Sequence, residues 1–315
     1  MSVCRPDAIF LDNSMGKSQH PRLVNRVAAA VLLLLTTFFW GVTFTVVKEA
    51  VSRVDVFVFL AQRFLASFLL LAGIATARGG RLDAAALRGG GVMGLFLFLS
   101  YAFQTLALRY TSASNTAFLT GLSVVLVPLL GALFFRQRVA PALWWAVALA
   151  AIGLFCLTTD GTWAFNAGDG LAAVCGFCVA LHVLSTGHYA AGSDLWWLTA
   201  VQIGVVALCS TAAALGTGHD VLVWHPFLLW PLVICVLFAT VFAFLVQTTV
   251  QRFLSATNTA LIFCMEPVFA ALWAYGALGE RLGAYGYLGA ALILAAMLVT
   301  ELPAARGAVR RHRAL

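Results

Sequence analysis

The sequence predicts an all-α integral membrane protein, with ten transmembrane helices forming two inverted five-helix repeats around a central cavity. The composition, ten apolar runs and an internal duplication are the observations that predict it. Hydrophobic residues make up 62% of the 315 residues and charged residues only 10%, whereas a soluble domain has about 25% charged residues. The chain therefore lacks the polar surface that a water-soluble particle needs.

Ten apolar runs are long enough to cross a bilayer as helices, which takes about 20 residues each. Arg63 and Glu266 are the charged residues that lie well inside these runs. No run alternates between apolar and polar residues as a membrane-spanning strand does, and the connections are too short to hold a soluble domain. The predicted spans are 27–47, 56–77, 89–108, 112–135, 139–158, 169–190, 195–215, 227–250, 256–278 and 284–301.

One segment occurs twice. QTLALRYTSASNTA at 104–117 returns as QTTVQRFLSATNTA at 247–260, with eight of fourteen residues identical. Each copy covers the end of one helix, a tight turn and the start of the next helix. Because each half contains five helices, an odd number, the second copy enters the membrane from the opposite side. Inverted repeats are typical of secondary transporters, whose sites lie near the bilayer midplane between the halves. The predicted repeats are 27–158 and 168–301.

The distribution of Lys and Arg predicts that both termini lie in the cytoplasm. With the segment 1–26 and the basic tail 302–315 inside, fourteen Lys and Arg residues fall in cytoplasmic segments and four on the opposite side. This asymmetry follows the positive-inside rule. The net charge of +7 is therefore attributed to orientation in the membrane. No basic patch interleaved with aromatic residues indicates nucleic acid, so the expected macroscopic partner is the lipid bilayer.

Short motifs occur in several predicted helices, among them Trp40–Gly41, Arg63–Phe64 and Glu266–Pro267. Together these motifs resemble the EamA-type transporters of the drug/metabolite transporter superfamily. The resemblance implies a ten-helix bundle around a central cavity, efflux or exchange of small metabolites, and a bacterial inner membrane. Two positions depart from the family pattern: Gln137 stands where the second half has Glu280, and Ser123 stands where it has Glu266. The matching residues are Trp40, Gly41, Phe44 and Lys48, then Arg63 and Phe64, and finally Glu266, Pro267, Gly279, Glu280 and Arg281.

Glu266 is the strongest candidate for a functional residue. An acidic side chain at the centre of a membrane helix costs roughly 2.5–3.5 kcal/mol, so it must face a wet cavity, pair with a cation or hold a proton. Pro267 removes a backbone donor beside it, and we expect a helix break there, as at Pro128 in the first half. Glu266 is then a substrate or proton-coupling contact, or else a structural carboxylate with a fixed partner.

Arg63 lies about a third of the way into the second predicted helix. An arginine does not lose its proton in a protein. Three interpretations stay open for it: the side chain extends to the outer interface, forms a structural or gating ion pair with Glu266, or binds an anionic substrate.

Six further polar or aromatic residues are candidates for substrate contact or coupling. His182 could relay protons or pack as a hydrogen-bonding residue. Asn115 and Asn258 can cap the helices that follow them or reach the substrate. Trp40 lines the cavity or fills an interhelical gap, and the repeat partners Gln104 and Gln247 could face the cavity.

These observations predict a secondary active transporter that exports a small organic metabolite, amino-acid-like or drug-like, by alternating access, with protons as a candidate coupling ion. The sequence has no G-x-x-x-x-G-K-[ST] for ATP, and no metal or cofactor is expected. An importer or exchanger of phosphorylated or nucleotide-sugar-like metabolites is the alternative, although a single buried arginine argues against a dianion. A channel and an intramembrane enzyme lack their characteristic residues, so no enzyme activity is expected. Both a monomer and a homodimer fit the sequence.

Overall fold

The protein was examined as a computed structural model, which describes residues 20–107, 109–111, 113–137, 139–158, 166–279 and 281–312. Within these ranges the chain forms helices and no strand. Nine helical segments are long and apolar enough to cross a membrane, and Ala284–Val299 forms a shorter apolar helix. Large apolar side chains such as Trp145, Leu133 and Leu208 are exposed on the outside of the bundle, which suits a surface that faces lipid.

The described residues form thirteen α-helices. A π-helical turn at Leu237–Phe242 joins α9 to α10, and a short 3₁₀ turn at Ala190–Gly192 follows α7. The helices are α1 His20–Val51, α2 Val56–Ala77, α3 Ala84–Ala107, α4 Ala113–Gly121, α5 Ser123–Phe135, α6 Pro141–Thr158, α7 Ala167–Tyr189, α8 Leu195–Gly216, α9 Pro226–Val236, α10 Ala243–Val250, α11 Ala256–Phe263, α12 Glu266–Leu278 and α13 Ala284–His312.

The first and last helices are longer than predicted. Helix α1 already begins at His20, with Pro21 in its first turn, where proline is well tolerated. Helix α13 continues to His312, through most of the predicted tail. Of the predicted terminal segments, residues 1–19 and 313–315 lie outside the described part of the chain.

Two predicted helices are interrupted, and a third, the eighth, contains the π-helical turn. The fourth is divided at Leu122 between α4 and α5, and the ninth at 264–265 between α11 and α12. Pro267 is the second residue of α12, where its missing N–H costs little. Pro128 does not mark the break that we expected, because it lies inside α5 and the interruption falls six residues earlier.

Side-chain caps fix where several helices begin. Asp55 accepts hydrogen bonds from the first backbone N–H groups of α2, and Asp194 does the same for α8. Asn166 and Asp169 form a capping box at the start of α7. Ser255 caps α11. Acceptors at these positions satisfy N–H groups that a helix leaves unpaired.

The helices pack in pairs that bring distant parts of the chain together. Helix α2 lies along α8, α6 along α13, and α3 packs on both α7 and α8; α1 packs on α10 and α12, while α4 and α5 pack on α7. The glycines Gly90 and Gly94 make the contact of α3 with α8 possible. A methyl group on Gly94 would come within 2.6 Å of the Gln202 carbonyl oxygen, so this Gly-x-x-x-Gly pair serves packing within the chain.

Candidate functional site

The interruption between α11 and α12 lies against α1. A methyl group on Gly41 would come within 2.7 Å of the Glu266 carbonyl oxygen and 2.9 Å of the Ala270 nitrogen, so only glycine allows this approach. The Trp-Gly pair of α1 therefore sits directly beside the Glu-Pro pair that opens α12. Two motifs that are about 225 residues apart in the sequence meet at one point of the bundle.

Glu266 is partly buried and has no partner of opposite charge. Its carboxylate interacts electrostatically with Tyr101 of α3, Cys175 of α7 and Cys264 beside the helix break. Its side chain forms no hydrogen bond or ion pair with any described residue. The carboxylate therefore lies within electrostatic range of α3 and α7, and no side chain in the described part of the chain compensates its charge by a hydrogen bond or an ion pair.

Arg63, in contrast, donates hydrogen bonds to three groups of the protein. Its side chain is 3% exposed. Its Nε donates to Thr240 Oγ1 at 2.8 Å, and its Nη2 donates to the Ala239 carbonyl oxygen at 3.1 Å and to the Tyr101 hydroxyl at 3.4 Å. The guanidinium also lies over the rings of Phe64 and Tyr101, at 5.2 and 5.4 Å. Arg63 therefore holds the π-helical turn and forms no salt bridge with Glu266.

Trp40 binds the same carbonyl group as Arg63. Its Nε1 donates to the Ala239 oxygen at 2.9 Å, and its ring centroid lies 5.0 Å from that of Phe263 and 5.6 Å from that of Phe244. The indole thus connects α1 to the π-helical turn and to the end of α11. It fills the interhelical gap, and its neighbour Gly41 packs against the break at Glu266.

His182 belongs to a second buried cluster. Its Nε2 lies 3.0 Å from Gln202 Oε1, and Gln202 Nε2 donates to Thr248 Oγ1 at 3.2 Å. With that amide orientation, His182 Nε2 carries the hydrogen. His182 and Gln202 are buried, so the histidine is in the packed, hydrogen-bonded arrangement that was one of its two interpretations.

The repeat partners Gln104 and Gln247 differ in their surroundings. Gln247 is 1% exposed; its Nε2 donates to Gln251 Oε1 at 3.0 Å, while its Oε1 is buried without a partner. Gln251 in turn donates to the Val183 carbonyl oxygen at 2.9 Å. Gln104 is partly buried, and its side chain makes no hydrogen bond to a described residue. Of the two, Gln104 is the amide that has neither its oxygen nor its nitrogen paired within the described part of the chain.

Asn258 does not cap the helix that follows it, as we had expected. It is the third residue of α11, and Ser255 is the cap. The Ser255 hydroxyl donates to Asn258 Oδ1 at 3.0 Å, and the Asn258 N–H donates to Ser255 Oγ at 3.2 Å. Ser255 precedes the helix and so accepts from its first N–H groups, whereas Asn258 is already inside it. Asn115 lies in α4, and its side chain is outside the described part of the chain.

Comparison with known proteins identifies the family. The model of the EamA-like transporter family matches residues 27–159 and again residues 166–302. The chain belongs to the EamA-like transporter family. It is therefore an integral membrane protein and a transporter by family, and the two matches divide it into consecutive halves.

Two relatives of this EamA-like protein come from Archaeoglobus fulgidus, and both are described only as uncharacterised transporters. One is 31% identical over 301 residues, which is 96% of this chain and 93% of the relative. The other is 29% identical over 287 residues, 86% of this chain and 96% of the relative. A solved crystal structure has the same fold, with a TM-score of 0.74 over 89% of this chain and 99% of its own, at 19% identity.

Sequence reasoning missed four residues that contribute to the two clusters of this EamA-like protein. Gln202 carried a usable signal, because it follows the cap Asp194 by eight positions, as Arg63 follows the cap Asp55. The others are ordinary in an apolar helix, and nothing in the sequence marks them. The residues missed are Tyr101, Gln202, Thr240 and Gln251.

Proposed function

We propose that this protein is a secondary active transporter that exports a small organic metabolite, amino-acid-like or drug-like, by alternating access. It lies in the bacterial inner membrane with both termini in the cytoplasm. The observation that carries the proposal is Glu266: its carboxylate has no hydrogen-bond or ion-pair partner among the described residues, and it lies at the interruption of a helix, within electrostatic range of α3 and α7. Substrate sites of secondary transporters form at such interrupted helices near the midplane.

Corresponding features in the two halves support ten helices in two inverted repeats. The fourth helix is interrupted at Leu122, and the ninth at 264–265, one repeat length of about 143 residues later. Asp55 and Asp194 cap the second helix of each half. The apolar stretch Ala284–Val299 of α13 is then the tenth span. It packs along α6, which is the fifth helix of the first half.

The repeated arginines support the same relation. Arg109 ends the third helix and lies 3.7 Å from Asp55, in the turn between α1 and α2. Arg252 ends the eighth helix and donates at 2.7 Å to the carbonyl oxygens of Ala190 and Ser193, in the turn between α7 and α8. In an inverted arrangement the first contact lies outside and the second inside.

Alternating access requires one contact between the halves to open on each side of the membrane, and two contacts suit this role. On the predicted outer side, Thr111 donates to Asp169 and accepts from Asn166 Nδ2 at 3.2 Å, which ties the turn after α3 to the start of α7. On the predicted inner side, Leu33 of α1 packs with Val250 and Leu254 in an apolar cluster. The outer contact consists of polar hydrogen bonds, and the inner contact consists of apolar side chains.

Glu266 can couple transport to protons if it holds a proton and a substrate alternately. An ionised carboxylate in the membrane is costly, so each state without substrate favours a bound proton. The import or exchange of a phosphorylated metabolite finds less support. The dianion would need free cations, and Arg63 is already bound to the π-helical turn. The family and the names of its relatives favour transport over catalysis.

Comparative profiling of the culture medium tests the proposal. Cells would express the wild type or the Glu266→Ala variant at equal membrane levels, and compounds in the medium would be quantified over time. A Glu49→Ala variant is the matched control, because Glu49 is exposed and pairs only with Arg53. A compound that accumulates with the wild type and the control but not with Glu266→Ala supports export through Glu266. Identical media for all strains, including cells without the protein, would contradict it.

A further inference from the structure

We infer that the central site binds small organic ammonium ions with an apolar or aromatic body, and that Glu266 is the residue that selects their charge. This inference rests on the proposed function, because it names the substrate class of the same site. Three observations support it. The Glu266 carboxylate has no partner among the described residues, Arg63 is hydrogen-bonded to the π-helical turn, and aromatic side chains lie near the helix break.

Glu266 is the one Lys, Arg, Asp or Glu side chain, among the described residues that are buried or partly buried, that has no hydrogen-bond or ion-pair partner. Arg63 and Asp169 are the only fully buried Lys, Arg, Asp or Glu side chains among the described residues, and both have several hydrogen-bond partners. Glu266 has none within the same part of the chain. A charge in a medium of low polarity needs a counter-charge. A ligand that brings a positive charge supplies one, and a ligand with a net negative charge would add to the imbalance.

Two of the three guanidinium nitrogens of Arg63 are committed to the protein itself. Its Nε and Nη2 already donate to the π-helical turn, and the flat surface of the guanidinium lies against Phe64 and Tyr101. To bind a carboxylate along its Nε–Nη2 edge it would have to release Thr240 and the Ala239 carbonyl, both of which are buried. A buried acceptor that loses its donor is costly. The positive group in the membrane region is therefore part of the scaffold.

The side chains around Glu266 suit the body of an ammonium ion. Tyr101 lies within electrostatic range of the carboxylate. Trp40, next to Gly41 at the contact with the helix break, forms an edge-to-face pair with Phe263 at the end of α11. The thiols of Cys175 and Cys264, the other groups in range, are weak hydrogen-bonding partners. Aromatic faces attract cations, whereas a carboxylate on the ligand would find few donors here.

Four phenyl compounds that differ in charge test this assignment directly. They are phenethylamine, a cation; phenylalanine, a zwitterion; 3-phenylpropionate, an anion; and 2-phenylethanol, which is neutral. Binding to the purified full-length protein in lipid nanodiscs is measured by isothermal titration calorimetry at mildly alkaline pH. We expect phenethylamine to bind at least about tenfold more tightly than 2-phenylethanol, and 3-phenylpropionate to bind most weakly.

Two variants connect the preference to one side chain. Glu266→Gln keeps the shape and removes the charge, so phenethylamine and 2-phenylethanol should bind equally. Glu266→Asp keeps the charge and should retain the preference for the cation, which guards against loss of binding through misfolding. Equal binding of the two compounds by the wild type would overturn the inference. So would tighter binding of phenylalanine or 3-phenylpropionate, or a preference for the cation that persists in Glu266→Gln.

Flux in proteoliposomes separates this inference from the proposed function. Transport of phenylalanine or 3-phenylpropionate that depends on Glu266, without transport of phenethylamine, would leave the transporter in place and refute the ammonium site. Binding of phenethylamine with the expected preference, but no flux under a proton gradient of either direction, would support the ammonium site and contradict the transport proposal.

Discussion

Arg63 and Glu266 are charged side chains within the membrane-spanning part of one protein, and their surroundings are opposite. Arg63 is almost fully buried and donates to a hydroxyl, a carbonyl oxygen and a phenol. Glu266 is partly buried and has no partner among the described residues. A compensated charge in a membrane helix holds a structure together. A charge without a partner in the protein is expected where a ligand or a proton binds and is released.

The energies favour this division of roles. A charge at the centre of a membrane helix costs roughly 2.5–3.5 kcal/mol, and a hydrogen bond to a charged group contributes about 1.5–3 kcal/mol. The two closest bonds of Arg63 are therefore enough to offset its insertion. Glu266 has no such compensation within the protein. Its position is stabilised only by a proton or a ligand, and by its place in the first turn of α12, where a negative charge is favourable.

Removing the charge of Glu266 should have the largest effect on transport. For Glu266→Gln we expect substrate flux to fall about 100-fold, which corresponds to the cost of an unpaired charge in the membrane. Thermal stability should stay the same or rise, because the variant no longer places a carboxylate in the bundle. Flux in proteoliposomes and thermal unfolding of the same preparation measure both. If Glu266→Gln keeps wild-type flux but unfolds earlier, Glu266 is structural and the comparison fails.

The pH dependence sharpens the role of Glu266. Protonation removes its negative charge, so binding of an ammonium ion by the wild type should weaken as the pH falls. The groups that face it are Tyr101, Cys175 and Cys264, all of which are uncharged at acidic and neutral pH. The affinity of Glu266→Gln should therefore be flat from acidic to neutral pH. A Glu266→Gln profile that still falls with the wild type would place the titrating group elsewhere, for example at His182.

Breaking the Arg63 cluster should have the next largest effect, on stability. Arg63→Met keeps the length of the side chain but leaves Thr240 without its donor, and we expect a loss of about 1–3 kcal/mol in the free energy of unfolding. Affinity for phenethylamine should not fall in the folded protein, because the variant removes a positive charge that shares Tyr101 as a neighbour with Glu266. Arg78→Met is the control, since Arg78 is exposed and stacks only on Trp196. A loss of affinity without a loss of stability would make Arg63 a substrate contact.

Trp40 should contribute less, and its effect should depend on Arg63. Trp40→Phe removes one hydrogen bond to the Ala239 oxygen and keeps an aromatic ring against Phe263, so we expect a loss of about 1 kcal/mol. Because Trp40 and Arg63 donate to the same oxygen, the double variant should deviate from additivity by about 0.5 kcal/mol or more. Trp145→Phe, on the exposed surface, is the control. Additive losses would show that the shared carbonyl does not couple the two residues.

The apolar spans could be predicted from the sequence, whereas the interruptions within them could not. The second, sixth and seventh helices agree with their predicted limits to within two residues, because run length and capping residues are local signals. The π-helical turn is different. Its geometry is maintained by Arg63, which lies 176 positions away from Ala239 in the sequence. A hydrogen bond to a backbone carbonyl leaves no mark in the sequence of the helix that accepts it.

The same reasoning explains which site residues could be foreseen. Glu266 is apparent from its cost in an apolar run, whatever its neighbours are. The engagement of Arg63 could not be read, because its partners are a carbonyl group, a threonine and a tyrosine that occur in any membrane helix. Gln202 stood at a recognisable distance from its cap, and only a comparison of Asp55 with Asp194 would have revealed it.

The smallest expected effects come from the repeat partners Gln104 and Gln247. They offer the same comparison as Glu266 and Arg63, between a side chain without partners and one with a partner, but for uncharged groups. Gln247→Leu removes both an unpaired oxygen and the bond to Gln251. These changes oppose each other, so the free energy of unfolding should change by less than about 1 kcal/mol, with affinity unchanged.

Gln104→Leu breaks no bond within the described chain and should leave stability unchanged. If its amide contacts the ligand, affinity for phenethylamine falls about threefold to fivefold. Unchanged affinity in Gln104→Leu would restrict the site to Glu266 and its aromatic neighbours.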